Sequence, residues 1–211
     1  MTAMGHTHPV LIDLPMPIRT PRLLLRPKQP GDGAVTAEAV TETWDDLHRW
    51  MRWAEQRDAF TAESMEIRNR QVMAGFLLRE AIELIGIEVA TGTAVLWCGL
   101  HDIDWPARQC DTGYWVRRTA QRKGFATEAA NAMVRYAFAA LGMRRVGLTH
   151  SAGNEASRRI AAHLGFSLEG IQRAANLLPE GKFADRYCYS RLNAANLPPL
   201  DVRWGATAVG E

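Results

Sequence analysis

The clearest period in the chain lies in its second half, where Ala126, Ala129, Ala130, Met133, Val134, Ala137, Phe138 and Leu141 recur at i, i+3, i+4 and i+7. This spacing predicts one amphipathic helix, and Gly142 stands where a C-terminal cap belongs. Residues 34 to 55 also read helical, with Trp44, Leu47, Trp50 and Met51 on one face, and a second helix is expected over residues 62 to 79. "TPRLLLRP" (20–27), bounded by Pro21 and Pro27, predicts a first strand, and "QPGDGA" after it supplies breakers. "IELIGIEVATGTAVLWCGLHDIDW" holds two apolar, β-rich runs with Thr91 and Gly92 at the turn between them, which reads as a hairpin. "CDTGYWV" (110–116) is a fourth strand and "RRVGLTH" (144–150) a fifth; "NEASRRIAAHLG" (154–165) is a helix closing at Gly165; "FSLEG" and "FADRYCYSRL" are the last strands. The tail "NLPPLDVRWGATAVGE" has no period, and it either packs through Leu200, Val202 and Trp204 or does not pack at all.

Composition narrows the classes. With 211 residues, 47% of them hydrophobic, the chain can bury a full core in one domain with extensions. Its 25 Lys and Arg against 23 Asp and Glu leave a formal charge of +2, so any basic patch must be local. Nucleic-acid binding through Arg117, Arg118, Arg122, Lys123, Arg144 and Arg145 is disfavoured by this balance and by the lack of an interleaved aromatic platform. Cys98, Cys110 and Cys188 lack C-x-x-C spacing, which suggests neither a disulfide framework nor a zinc site and favours a reducing compartment. No leader pattern or run of about 18 apolar residues occurs, so a cytoplasmic location without membrane contact is expected. His6 and His8 sit in a terminus expected to fray and are set aside as metal ligands; no metal is expected.

The chemistry concentrates in "QRKGFATEAA" (121–130). A strand ending at Val116, a short polar connection and a helix opening near Gly124 aim unpaired backbone N–H groups and the positive helix end at one spot. Such a spot suits phosphate. Gly124 permits close approach, and Arg122, Lys123, Arg117 and Arg118 add cationic charge. The alternative is a set of solvated charges ahead of an ordinary helix. There is no G-x-x-x-x-G-K-[ST] and no G-x-G-x-x-G, which excludes the usual nucleotide and dinucleotide loops.

Residues 113 to 170 resemble the acetyl-coenzyme A binding core of the GNAT N-acetyltransferase superfamily, and specifically its RimJ/RimL-like branch of ribosomal-protein N-terminal acetyltransferases. Gln121 to Ala126 fits the Q/R-x-x-G-x-G/A signature, Asn154-Glu155-Ala156-Ser157 fits N-x-x-S, and Leu164-Gly165-Phe166 fits the L-G-F that closes the next helix. The likeness extends more loosely over residues 19 to 192, leaving 1 to 18 and 193 to 211 as extensions. It implies an α+β fold with a mixed, largely antiparallel sheet of six or seven strands flanked by helices, the coenzyme lying in a splay between the fourth and fifth strands. It implies that Gln121, Arg122, Lys123, Gly124, Phe125, Ala126 and Thr127 cradle the pyrophosphate, and that the main chain of Trp115 and Val116 bonds the pantetheine arm as an added strand would.

Acetyl transfer to an amine needs a neutral amine, a polarised carbonyl and a proton for the departing thiolate. Asn154 and Ser157 share the first turn of their helix; the local reading is an N-cap and an ordinary first-turn serine, while the resemblance implies that Asn154 also touches the pantetheine and Ser157 protonates the sulfur. Relatives are thought to use a glutamate downstream of L-G-F as base, but Asn176 occupies the nearest equivalent place. His101, Asp102, Asp104 and His150 are the remaining titratable candidates. Trp44, Trp50 and Trp53 read first as a helical core stripe, and Trp50, Trp53 and His101 are the acceptor-side candidates. Cys110 has no His/Asp pair placed to make it a nucleophile. The expected activity is direct transfer of acetyl from acetyl-CoA to a primary amine, a protein N-terminus or a small molecule; a catalytically silent acyl-CoA binding module is the alternative. A homodimer using Leu200 to Trp204 is left open.

Overall fold

The computed structural model describes residues 8–205. His6 lies outside them; the His8 ring only accepts the Val10 N–H at 3.3 Å. The elements run β1 (Ile18–Arg19), β2 (Leu23–Pro27), α1 (Asp32–Trp50), α2 (Ala62–Leu78), β3 (Ile82–Glu88), β4 (Ala94–Asp104), β5 (Gln109–Val116), α3 (Phe125–Ala139), β6 (Arg145–Ser151), α4 (Glu155–His163), β7 (Ser167–Leu177), β8 (Phe183–Arg191) and β9 (Arg203–Trp204). They form one mixed sheet in the order β7-β8-β6-β5-β4-β3-β2-β1-β9, antiparallel throughout except where β5 meets β6.

The sheet has nine strands rather than six or seven. The two extra strands, β1 and β9, hold two residues each, too few to show a period of two; Ile18 and Arg19 pair with Leu25 and Leu24 of β2 on one side and with Trp204 and Arg203 on the other. That pairing seats the tail: Leu197 is buried, and Leu200, Val202 and Trp204 pack on the molecule's own core. Part of their apolar area is thus used within the chain, and all three stay only partly buried. β7 reaches Leu177, well past the expected "FSLEG", because residues 167–174 are exposed and give no burial alternation to read.

Alternation along the central strands builds two apolar layers. Leu96, Cys98 and Leu100 of β4 join Ala129, Met133 and Ala137 of α3 in the large core on one face. Trp97 and Ile85 meet Ala39 of α1 on the other. α1 stops at Trp50 rather than near Glu55, since Ala54 is fully buried and its N–H returns to the Met51 carbonyl at 2.8 Å, turning the chain off the helix axis. At the end of α3, Gly142 adopts φ 65 and lets the Met143 N–H reach the Ala137 carbonyl at 2.9 Å.

Cys98 and Cys110 are buried and free, and burial pushes both thiols up to about 12, whereas free Cys188 is half-buried. Titration of the native protein with a thiol-specific disulfide reagent at pH 8 is expected to modify Cys188 alone, the other two reacting only after denaturation. Rapid modification of all three in the folded protein contradicts this packing.

Candidate active site

β5 and β6 pair in parallel over three rungs, Gln109 with Arg145, Cys110 with Val146 and Asp111 with Gly147, and then part. At the last rung a Cβ on Gly147 would overlap the Asp111 carboxylate, so a larger residue there would require that side chain to move. Beyond it, Thr112 to Val116 pair with β4 alone. Their other edge offers backbone groups without a strand partner, a place for a ligand with alternating amides.

α3 points its N-terminus at this opening. Gly124 is the N-cap at φ 84 with no side-chain cap, so the first-turn N–H groups of Phe125, Ala126 and Thr127 remain available. The helix end is anchored by Glu128, buried in the first turn. Its carboxylate accepts the Thr20 hydroxyl at 2.6 Å, the Arg22 N–H at 3.1 Å and the Arg22 Nε at 2.6 Å. Arg22 Nη1 in turn donates to the Lys123 carbonyl at 2.9 Å, which ties the loop to the β1–β2 corner.

At the opposite end of the opening, the Asn154 side-chain oxygen accepts the Ser157 N–H at 3.1 Å and caps α4. The Ser157 hydroxyl lies 3.3 Å from that of Tyr114. Burial pushes the Tyr114 phenol up to about 12, with the Ser157 contact opposing, so Tyr114 stays protonated through the neutral range. Three cavities converge on Tyr114 and Met51. One, of about 410 Å³, runs from the α3 N-terminus to Ser157 along Trp115 and Val116. A second, of about 430 Å³, lies between the end of α1 and the β7–β8 arm, and a third, of about 380 Å³, is walled by Trp53, Phe60, Trp97 and Trp115.

A family profile described as "Acetyltransferase (GNAT) domain" matches residues 22–167. The chain belongs to the GNAT acetyltransferase family. It is 30% identical over 173 residues to the putative ribosomal N-acetyltransferase YdaF of Bacillus subtilis (strain 168), a match covering 81% of this chain and 91% of that protein. Its fold is shared by Mycobacterium smegmatis RimJ in complex with CoA-disulfide, with TM-score 0.76 and 23% identity over 88% of this chain and 90% of that one. The ribosomal-protein-S5-alanine acetyltransferase from Vibrio fischeri also shares it, with TM-score 0.75 and 20% identity over 89% of this chain and 100% of the other. As a GNAT acetyltransferase, the chain takes acetyl-CoA as co-substrate.

In this acetyltransferase Trp115, Val116, Gln121, Arg122, Gly124, Phe125, Ala126, Thr127, Asn154 and Ser157 line one cavity. Lys123 is exposed and is not among the lining residues. Arg117 and Arg118 are spoken for: Arg117 pairs with Glu38 and with Glu42 at 2.5 Å, and Arg118 with Asp45 at 2.8 Å and Asp46 at 3.6 Å, all four acids on α1. Among the described residues of this loop, Arg122 and Lys123 are therefore the cations left without a carboxylate partner.

The tryptophans separate. Trp44 stacks on His48 at 4.3 Å, Trp50 lines the first cavity and the second one, and Trp53 sits in the third, 6.3 Å from Trp115. His101 borders the second and third cavities with Nδ1 held by Asp102 at 2.8 Å, its Nε2 lying over Gly113. His150 is buried, its Nδ1 against the Ser151 carbonyl at 2.9 Å, and stacks on Tyr187 and Tyr189. Asn176 donates to the Ser151 hydroxyl at 2.9 Å and accepts from Arg186 Nε at 2.6 Å. Among the described residues no group of three or more His, Cys, Asp and Glu is placed to hold a metal, and no helix is long and apolar enough to cross a membrane.

Tyr114 and Arg186 are the site residues that motif reading passed over. Tyr114 had a signal, the alternation Cys110, Thr112, Tyr114 along the strand; Arg186 had none, because its neighbour Asn176 lies across a hairpin.

The Glu128 anchor generates a prediction. Glu128→Ala strands the Thr20 hydroxyl and the Arg22 N–H and is expected to cost about 1–3 kcal/mol, a fall in Tm of roughly 2–12 °C for a chain of this size. A melt unchanged within about 1 °C shows that these bonds do not anchor the helix.

Proposed function

We propose that this enzyme transfers acetyl from acetyl-CoA directly to a primary α-amine in a ternary complex, with no acetylated enzyme intermediate. The observation that carries the reading is the opening between β5 and β6, which joins the α3 N-terminus at one end to Ser157 and Tyr114 at the other. The pyrophosphate lies on the N–H groups of 125–127 beside Arg122, where the helix end and cation both favour a dianion. Pantetheine amides bond the free edge of β5 at Trp115 and Val116, and the spare N–H bonds of the Asn154 amide support the same arm.

The thioester carbonyl then lies close to Tyr114, and the amine approaches from the second cavity past Trp50 and His101. Attack forms the C–N bond and breaks the C–S bond; the thiolate takes a proton from Ser157, which Tyr114, protonated and 3.3 Å away, can resupply. A protein N-terminus or other α-amine near pKa 8 sheds its proton far more readily than a lysine-type amine near 10.4. The exposed Nε2 of His101 and water suffice for that step. The branch likeness and the named relatives support a protein N-terminus as acceptor, with small α-amines as the other source.

Two measurements test this reading. Acetyl-CoA at about 100 times its Kd is expected to add roughly 2.7 kcal/mol and raise Tm by about 5–11 °C; no shift at millimolar ligand overturns the coenzyme site. Ser157→Ala is expected to lower kcat about 10- to 100-fold with acetyl-CoA binding retained, and Tyr114→Phe to lower it less. Turnover of Ser157→Ala within twofold of wild type removes Ser157 as the proton donor.

A further inference from the structure

Both permanently charged side chains that line the second cavity are arginines, and an acid outside the lining, Asp102, holds His101 Nδ1 at 2.8 Å. Arg52 and Arg186 line it together with His101 and His150, and no Asp or Glu does. Arg186 is fixed rather than free to swing: Nε donates to Asn176 Oδ1 at 2.6 Å and Nη2 to the Ala175 carbonyl at 2.9 Å. Its Nη1 has no hydrogen-bond partner among the described residues, and neither Arg52 nor Arg186 has a carboxylate within 4.0 Å there. The adjacent Asp185 is engaged elsewhere, accepting the Ala174 N–H at 2.9 Å.

Residue 176 decides what that cation can do. A carboxylate there would orient Arg186 and cancel its charge. The amide orients it and leaves the charge standing, since the other end of Asn176 is already spent on Ser151. A guanidinium held at two points presents its remaining donors at little entropic cost, and carboxylate is the anion its geometry suits. Resting on the proposed function, we propose that the acceptor is an α-amine that also bears a carboxylate, read by Arg186 at the wall of the second cavity. Polyamines and other cationic acceptors are disfavoured by the same two arginines. The carboxylate has two sources, an acidic side chain near a protein N-terminus or the free carboxylate of a small amino-acid-like amine.

The test compares matched acceptors by kcat/KM at low salt. Peptides beginning Asp-Ala and Asn-Ala, both amidated at the C-terminus, address the protein source; Ala-Ala and Ala-Ala-amide address the small-molecule source; spermidine is the cationic control. For at least one pair the carboxylate member is expected to be favoured roughly 10- to 100-fold, mainly through KM. Arg186→Gln should bring that ratio close to one, Arg186→Lys should keep part of it, and Asn176→Asp, which neutralises Arg186 while holding it, should also erase it. A wild-type ratio near one in both pairs, a preference for spermidine, or a ratio that persists in Arg186→Gln overturns the proposal. Should the variants fold poorly, the wild-type ratios and their decline with added salt decide it alone. Acetyl-CoA stabilisation without acetylation of any amine would be a failure of the transfer reading itself, whereas acetylation without carboxylate preference fails only this inference.

Discussion

Two neighbouring strands that pair for three rungs and then part are the constraint on which this molecule is organised. The rungs are held by a glycine, Gly147, that lets the Asp111 carboxylate lie against its backbone, and burial raises the pKa of that carboxyl, with nearby His101 opposing. Past them, β5 keeps only β4 as partner, and a strand edge in the middle of a sheet needs something to satisfy it. Every other feature of the site is placed relative to that edge: α3 aims its uncapped N-terminus there, α4 brings Ser157 to Tyr114, and the end of α1 closes the third side with Trp50 and Met51.

The position of α3 is in turn held by a polar clamp at its first turn. Glu128 gathers Thr20 and Arg22 from the β1–β2 corner, and Arg22 reaches on to the Lys123 carbonyl, so the loop that opens α3 and the β1–β2 corner share one set of hydrogen bonds. The same corner pairs with β9, and the tail that leads to it lies against α3, where Asn131 donates to the Pro198 carbonyl at 2.9 Å.

With a formal charge of only +2, the protein makes local fields by choosing which cations to neutralise. α1 turns Glu38, Glu42, Asp45 and Asp46 toward Arg117 and Arg118, binding the helix to the β5–α3 connection and neutralising two cations ahead of α3. In the second cavity the opposite choice is made: Asn176 holds Arg186 without cancelling it. Exposed pairs such as Arg118 with Asp45 add little stability, so their effect on where free positive charge remains matters more than their energy.

Much of the fold was legible along the chain. The period from Ala126 to Leu141 with Gly142 after it, the strand runs around Thr91 and Gly92, and the ordered motifs at 121–126, 154–157 and 164–166 place α3, the β3–β4 hairpin and α4 nearly where they stand. These signals are carried by residues within a few positions of one another. What could not be read depends on partners far apart: β9 exists only by pairing with β1 across most of the chain, Arg117 meets Glu42 at a separation of 75 residues, and Arg22 meets Glu128 at 106. The sequence by itself determined most of the elements and the position of the polar loop that opens α3, because periods, caps and turn residues are local physics. Only the tertiary structure decided which strand edge stays open, which cations remain unpaired and that Tyr114 and Arg186 line the cavities beside Ser157, because each of those depends on which distant groups come within hydrogen-bonding reach.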